Sequence, residues 1–497
     1  MLESAQVAVL GVLVWSLWRV VYNLYFHPLA HVPGPRWAAA TQLWLAYKEL
    51  WEGVSLSDIR YQLHAQYGDV IRLTPREIHF ANPEAFHDIY SVNNKWEKDD
   101  HLYRAFDMGL SSLCFPYHEA KQRREVLSPI FSRSAIVSLQ SVVLARVDVL
   151  CNALNTQYTQ GKFSDLSLGF KCFAMDVITS FCYARPVETT SAPDFHAELV
   201  HGAEEVLPGL SYGKQSSVIV WCIRNTPRWL VHAVGSRPMM ALLCLQDTMR
   251  KQIDDIVRNP SELENAPHQI VYHALLDPAA HKGRPLPSKL SLFHEAQVLL
   301  SGGTDTVGIT LTVVMYNVVR TPAVQERLQA ELRAAWPVLD ETPRYEDLEK
   351  LPYLTALLKE GLRMFPGGAA FPRIVPPEGA VIAGMPVPGG TAVSQCFTFV
   401  QHNEAIFERP NEFLPERWLG EDAKALEHYL IVFSKGPRSC IGINLAYCEL
   451  YLAIAHIFRR FEVTLDPTRT PDFRFHEHYI PCFSGEHLHV SCKPVDS

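Results

Sequence analysis

Cys440 sits in the run FSKGPRSCIG, Phe433 to Gly442, where a cysteine lies between glycines and basic residues just ahead of a long apolar helical pattern. Such a cysteine can serve core packing, a disulfide, nucleophilic chemistry or metal ligation. The thiolate form needs nearby positive character to stay ionised. A helix predicted from about Ile441 to Phe461 would aim backbone N–H groups and its dipole at the sulfur. Gly436 and Gly442 permit tight turns and the approach of a flat ligand. Phe433 can shield one side of the loop, and Arg438 offers a charge-assisted contact to an anionic group.

Other candidates lie far away in sequence. LLSGGTDTVGIT places Gly302 and Gly303 inside a helical pattern, at a cost of about 1 kcal/mol each relative to alanine. Asp305 and Thr306 follow as an acid–alcohol pair. A hydroxyl can orient oxygen or a water, and a carboxylate can pass protons from solvent. The same run also fits a helix interrupted for packing, with Asp305 on its wet side. KEGLR sets Glu360 and Arg363 at i, i+3, where an ion pair can form. ETPR, Glu341 to Arg344, has that spacing too, but it holds a proline and is chance.

A lone thiolate without a local partner ligand fits axial binding of haem iron, whose other four ligands come from the porphyrin. FSKGPRSCIG resembles the haem-binding loop of cytochrome P450, with Phe433, Gly436, Arg438, Cys440 and Gly442 at pattern positions. KEGLR, the later PERW (Pro415 to Trp418) and LLSGGTDTVGIT are similar to further motifs of that family. The resemblance implies haem b with Cys440 as the iron ligand, Gly303 close to the haem, and Asp305 and Thr306 in oxygen activation. It implies that Arg417 joins Glu360 and Arg363 in a structural triad, and that Arg124, Arg373 and Arg438 meet the haem propionates. One position departs from the pattern. The Trp or His usual four residues before Arg124 is Ala120, and His118 is out of register, so Arg123 competes with Arg124 for the propionate. After Arg363, the small residues Gly367, Gly368, Ala369 and Ala370 leave room for a bulky polycycle, with Phe371 and Phe483 as further lining candidates.

The elements that must position these residues read as one large, mainly helical body with a minor β region, implied to be the cytochrome P450 fold. Ala5 to Phe26 carries a single charge, Arg19. As a helix it spans about 33 Å, enough for a hydrocarbon core of about 30 Å. Residues 1–27 are therefore predicted as a membrane anchor and 28–497 as a single catalytic domain. A cleaved signal peptide lacks support, with no basic flank and no small-x-small site. Pro28, Pro33 and Pro35 form a stiff joint. A hairpin is predicted around Val70 to Phe80, helices from about 83 to 365, and short strands from 373 onward.

The net charge of −8, with no basic tail or run, excludes a nucleic-acid partner. Eleven scattered cysteines without a CxxC pair indicate a reducing compartment. No nicotinamide or flavin fingerprint is visible, so electrons come from another protein. The resemblance implies NADPH–cytochrome P450 reductase, meeting a basic patch that includes Lys435, Arg459 and Arg460. It also implies the endoplasmic reticulum membrane, crossed once, with the catalytic domain on the cytosolic face. YFHPLAHVPGPRWAAAT is similar to membrane-bound fungal enzymes of the trichodiene-oxygenase type. That implies hydroxylation, epoxidation or multistep oxidation of an apolar secondary metabolite, a terpenoid. Three rivals remain at this stage: a haem-thiolate isomerase or dehydratase without O2, a non-catalytic haem protein, and a zinc site at His476, His478, His487 and His489.

Overall fold

Helix α1 (Leu2–Val21) runs into a π-helical turn, Tyr22–Phe26, in this computed structural model, which describes residues 2–366 and 370–495. Three helices are long and apolar enough to cross a membrane, and burial separates them. Leu166–Tyr183 and Lys289–Val319 are core helices, whereas only 6% of the Val9–Phe26 window is covered by protein. The end of this N-terminal apolar segment is docked on the body. Asn23 Nδ2 donates to Ala40 O at 2.9 Å, and Arg72 Nη1 donates to Asn23 O at 2.8 Å. These bonds and the prolines that follow fix the direction in which the chain leaves the segment.

Five short strands build one sheet in the order β1-β2-β5-β4-β3. The predicted hairpin is β1 (Val70–Thr74) and β2 (Glu77–Phe80); β3 (Glu97–Lys98), β4 (Arg373–Ile374) and β5 (Ala392–Ser394) complete it. Only β2 and β5 run parallel. The β3–β4 register sets Lys98 directly opposite Arg373. Like charges so placed destabilise a strand pair unless something neutralises them.

The helices that carry the site are α2 (Tyr117–Leu127), α3 (Leu166–Tyr183), α4 (Glu198–Gln215), α5 (Lys289–Val319), α6 (Pro352–Arg363) and α7 (Ile443–Arg460). Every residue of α3 is buried. Its apolar residues surround the helix, the pattern of a core element, and Asp165 caps its start by accepting from Leu168 N at 3.1 Å. Helix α5 packs along α3 through glycine. A Cβ at Gly303 would lie 2.7 Å from Ile178, and one at Gly308 2.9 Å from Lys171. Gly303 is therefore a packing glycine that lets α3 approach, not the haem-facing residue expected. Neither glycine interrupts α5: the helix is continuous from Lys289 to Val319.

Helix α6 delivers Glu360 and Arg363, both fully buried. Arg363 Nε and Nη2 donate to the two oxygens of Glu360 at 2.8 and 2.7 Å, and Arg417 Nε donates to Oε1 at 3.1 Å. Trp418 Nε1 and Leu414 N complete the carboxylate's partners at 2.9 and 3.0 Å. Arg363 Nη1 donates to Gln401 O and Pro410 O, so the cluster pins the segment that leads to the cysteine loop. Removing the shared acceptor leaves a buried guanidinium without its charge partner. Glu360→Ala should therefore lower unfolding free energy by about 3–5 kcal/mol, measured by denaturant titration.

Candidate active site

Helix α7 begins at Ile443 with Gly442 as its N-cap, so Cys440 sits two residues further from the helix than expected. Its N–H donates to Phe433 O at 2.8 Å, closing the loop. Gly436 has φ +74, and a Cβ there would meet Ser91 O at 2.6 Å and Tyr90 O at 2.8 Å. This glycine seats the loop on the body and is not a surface for a flat ligand. Gly442 does face the sulfur: Cys440 Sγ is the nearest atom to its added Cβ, at 4.0 Å. The Phe433 ring packs on Tyr447, 5.4 Å between centroids.

Cys440 is an exposed residue, yet burial raises its thiol pKa, so its exposed surface faces an internal cavity. The Gly442 N–H and the charge of Arg124 pull the other way and do not win. Burial thus outweighs both in the metal-free loop. Metal coordination would supply the missing stabilisation. Cys396 provides the contrast. It is fully buried, Arg60 Nη1 and His79 Nε2 approach its sulfur at 3.2 Å, and burial pushes it up to about 12. Every side of that sulfur is occupied by protein.

Four cations converge near Cys440. Arg438 Nη2 donates to Phe115 O at 2.9 Å, while its buried Nε has no partner. Burial lowers Arg438 to about 10, with Arg373 and Arg124 adding repulsion, and Glu97 at 3.8 Å opposes this only in part. Arg373 is buried and donates to Phe371 O at 3.1 Å. Arg124 makes no side-chain hydrogen bond or ion pair among the described residues; burial lowers its pKa while the Cys440 and Glu295 charges raise it. Arg123 is committed elsewhere, to Glu295 at 3.0 Å and Ser291 at 2.9 Å. The competition between the two arginines thus falls to Arg124. The fourth cation, Lys98, was not anticipated from sequence. Its Nζ donates to Leu113 O at 2.8 Å and lies 4.3 Å from the Tyr103 ring centroid. Burial, then Arg373 and Arg438, holds its pKa well below the ordinary value. Its only sequence signal is the β3 register opposite Arg373, which a two-residue strand does not reveal.

Helix α5 divides its functional pair. Ser301, Gly302 and Thr306 are exposed, and a Cβ on Gly302 would meet nothing within 4 Å, so this face borders a cavity. Thr306 Oγ1 donates to Gly302 O at 2.8 Å. Asp305 points to the other side and is buried, not on the wet face. Lys171 Nζ lies 3.6 Å from its carboxylate and is also paired with Glu204 of α4, which is part exposed. Burial raises the Asp305 pKa against the opposing effect of Lys171.

The lining candidates fare unevenly. Gly367, Gly368 and Ala369 lie outside the described residues. Ala370 borders a polar cleft with Arg60, Glu77, Asp99, Lys214 and Glu477. Phe371 packs on Phe397 and Tyr479, centroids 5.4 and 5.6 Å away. Phe483 packs within the terminal hairpin on Phe473 and Phe475; Ile480 of the same turn joins Ile309, Val313 and Phe365 beside α5 instead. In the basic patch, Arg460 is paired with Asp148 at 2.9 Å, and Arg459 donates to Trp336 O and Pro337 O. Lys435 Nζ donates to His428 O at 2.7 Å. His487 Nδ1 lies 2.8 Å from Asp165, and no three metal-ligand side chains converge among the described residues.

Residues 32–484 match the family described as Cytochrome P450. The chain is 32% identical to the cytochrome P450 monooxygenase macH of Penicillium terrestre, over 98% of this chain and 100% of that protein. It is 31% identical to the monooxygenase flvC of Aspergillus flavus, over 99% and 96%. It is also 31% identical to the tryptophan 6-hydroxylase fscE of Fusarium equiseti, over 90% and 88%. The chain belongs to the cytochrome P450 family, and it is a haem-dependent monooxygenase of that family. The residues fit the group that the family carries. Four crowded cations suit a dianionic edge, and a cysteine facing a cavity suits an axial ligand. Lys98→Met tests the fit because its effects have opposite signs. Without haem, losing a buried like charge should raise thermal stability; with haem, it should speed haem transfer to apomyoglobin.

Proposed function

We propose that this chain inserts one oxygen atom from O2 into an apolar secondary metabolite, a terpenoid, with Cys440 as the axial ligand of haem b. The observation that carries the reading is that Cys440 is exposed beside Arg124, with Arg438, Arg373 and Lys98 crowded next to that arginine. When bound, the haem supplies O2 activation, and thiolate donation favours O–O cleavage. Arg124, Arg373 and Arg438 would neutralise the propionates, while Phe433 would cover the loop. Thr306 presents its hydroxyl at the cavity face of α5, where it would hold a proton for the oxygen chemistry that haem supplies. Asp305 is the proton reservoir behind it, linked through Lys171 to Glu204 near the surface. Ile309 and Val313 share the Thr306 side of α5 at helical spacing, and with Ile480 they support an apolar substrate.

Electrons are proposed to come from NADPH–cytochrome P450 reductase at the face carrying Lys435. The proposed setting is the endoplasmic reticulum membrane, crossed once by α1, with the body in the cytosol. Exposed Trp37, Leu43 and Trp51, and a second exposed group of Trp221, Trp229 and Val234, support a lipid-facing side. The Glu49–Lys214 ion pair joins the parts of the chain that bear them.

Reduced protein under carbon monoxide should show the red-shifted Soret band of a thiolate ligand; Cys440→Ala should abolish it, and Cys396→Ala should retain it. A retained band in Cys440→Ala would overturn the ligand assignment. Thr306→Ala should divert electrons to peroxide, and Lys171→Met should slow turnover by about 10- to 100-fold without changing substrate affinity. The ratio of product formed to NADPH consumed, together with substrate spectral titration, checks both. Turnover that needs neither O2 nor NADPH would instead favour the isomerase reading.

A further inference from the structure

We propose that Glu295, on α5, is the positioning residue that sets the cations expected to bind haem. The inference rests on the reading of Cys440 and its neighbouring cations as the haem cradle. Glu295 lies on α5 about two turns before Gly302 and is fully buried. It has no place in the proposed oxygen chemistry, so its burial needs another reason.

Its two oxygens hold two different elements. Oε2 accepts from Ser112 N at 2.9 Å and from Arg123 Nη1 at 3.0 Å. Oε1 accepts from Ser112 Oγ at 2.5 Å. Neighbours on α5 extend the grip: Ser291 Oγ donates to Leu110 O at 2.7 Å, and Leu110 N donates to His294 Nδ1 at 3.2 Å. The segment 110–112 is thus tied to α5 by three successive inward positions of one helix face.

The carbonyls of that same strap hold the cations. Ser112 O accepts from Arg438 Nη1 at 3.4 Å, Leu113 O from Lys98 at 2.8 Å, and Phe115 O from Arg438 Nη2 at 2.9 Å. Arg123 adjoins Arg124 on α2, so anchoring the first guanidinium on Glu295 leaves the second to face Cys440. One carboxylate on the oxygen-side helix therefore fixes Lys98, Arg124 and Arg438 together. Because its carboxylate is fully buried against Ser112 and Arg123, it acts through those residues.

The test uses haem-loaded protein and three variants: Glu295→Leu, Ser112→Ala and Asp176→Asn. Asp176 is the control, a fully buried carboxylate on α3 that accepts from Thr189 N and Thr190 N at 2.8 Å. Glu295→Leu should release haem to apomyoglobin about tenfold faster or more. Its reduction potential should move negative as positive charge recedes from the iron. Ser112→Ala should shift both quantities in the same direction by less. Asp176→Asn should lose thermal stability with neither change. Wild-type release and potential in Glu295→Leu would overturn the proposal. So would equal acceleration by Asp176→Asn at a matched loss of melting temperature. If Glu295→Leu does not load haem, Ser112→Ala decides, and wild-type release there overturns the proposal. Wild-type protein without the thiolate carbon monoxide band overturns the Cys440 reading itself, whereas a normal band with unchanged variants overturns only the role of Glu295.

Discussion

Four crowded positive charges, Arg373 buried and Lys98, Arg124 and Arg438 half-buried, are the constraint around which this molecule is arranged. Desolvation already penalises each ion, and mutual repulsion adds to that penalty. Lys98 carries the burden most plainly, because burial and three arginines all push against its charged form. Protein carbonyls satisfy some of the N–H donors, but carbonyls supply only partial negative charge. Glu97 stands 3.8 Å from Arg438 and answers one of the four. An anionic ligand is the natural remedy, and the cysteine facing the same cavity indicates what its centre holds. The strap 110–117, the short strands β3 and β4, and the start of α2 are laid out so that these side chains meet.

The distal helix obeys a different logic. Consecutive residues on a helix point about 100° apart, so Asp305 and Thr306 cannot serve the same side. Thr306 faces the cavity, and Asp305 is turned toward α3 and its Lys171. The two glycines split in the same way. Gly302 borders the cavity, and Gly303 admits Ile178. A motif that reads as a single functional run is thus two faces, one toward the cavity and one toward Ile178 and Lys171. The buried cluster of Glu360, Arg363 and Arg417 has no such division: both arginines meet on one carboxylate and spend their remaining donors on the carbonyls of the 401–412 segment, as suits a brace.

Much of the fold was legible because periodicity survives in sequence. The apolar N-terminal helix, the hairpin at Val70 to Phe80, the long helix through Gly302 and the closing helix before Arg460 all follow from apolar spacing and breaker residues. Less legible were the local roles of glycines and the choice among neighbouring arginines. Gly436 and Gly303 look like ligand-facing glycines in a motif, but their missing side chains make room for Tyr90, Ser91 and Ile178. Nothing in the run Arg123–Arg124 says which guanidinium is free, because the answer is a carboxylate 172 residues away. Phe483 looked like a pocket wall, yet the terminal hairpin keeps it for Phe473 and Phe475.

By itself, the sequence determined the chemistry: a cysteine loop, a glycine-broken helix with an acid and an alcohol, and a Glu–Arg pair answered by a later arginine. Residue type and spacing carry that information because each motif is local and its geometry is set by a few bonds. Only the tertiary structure decided which side each residue faces, which cysteine is open to a cavity, and that Lys98 joins the arginines. Those outcomes depend on contacts between distant segments, where desolvation and the pairing of buried charge, not local spacing, choose the partner.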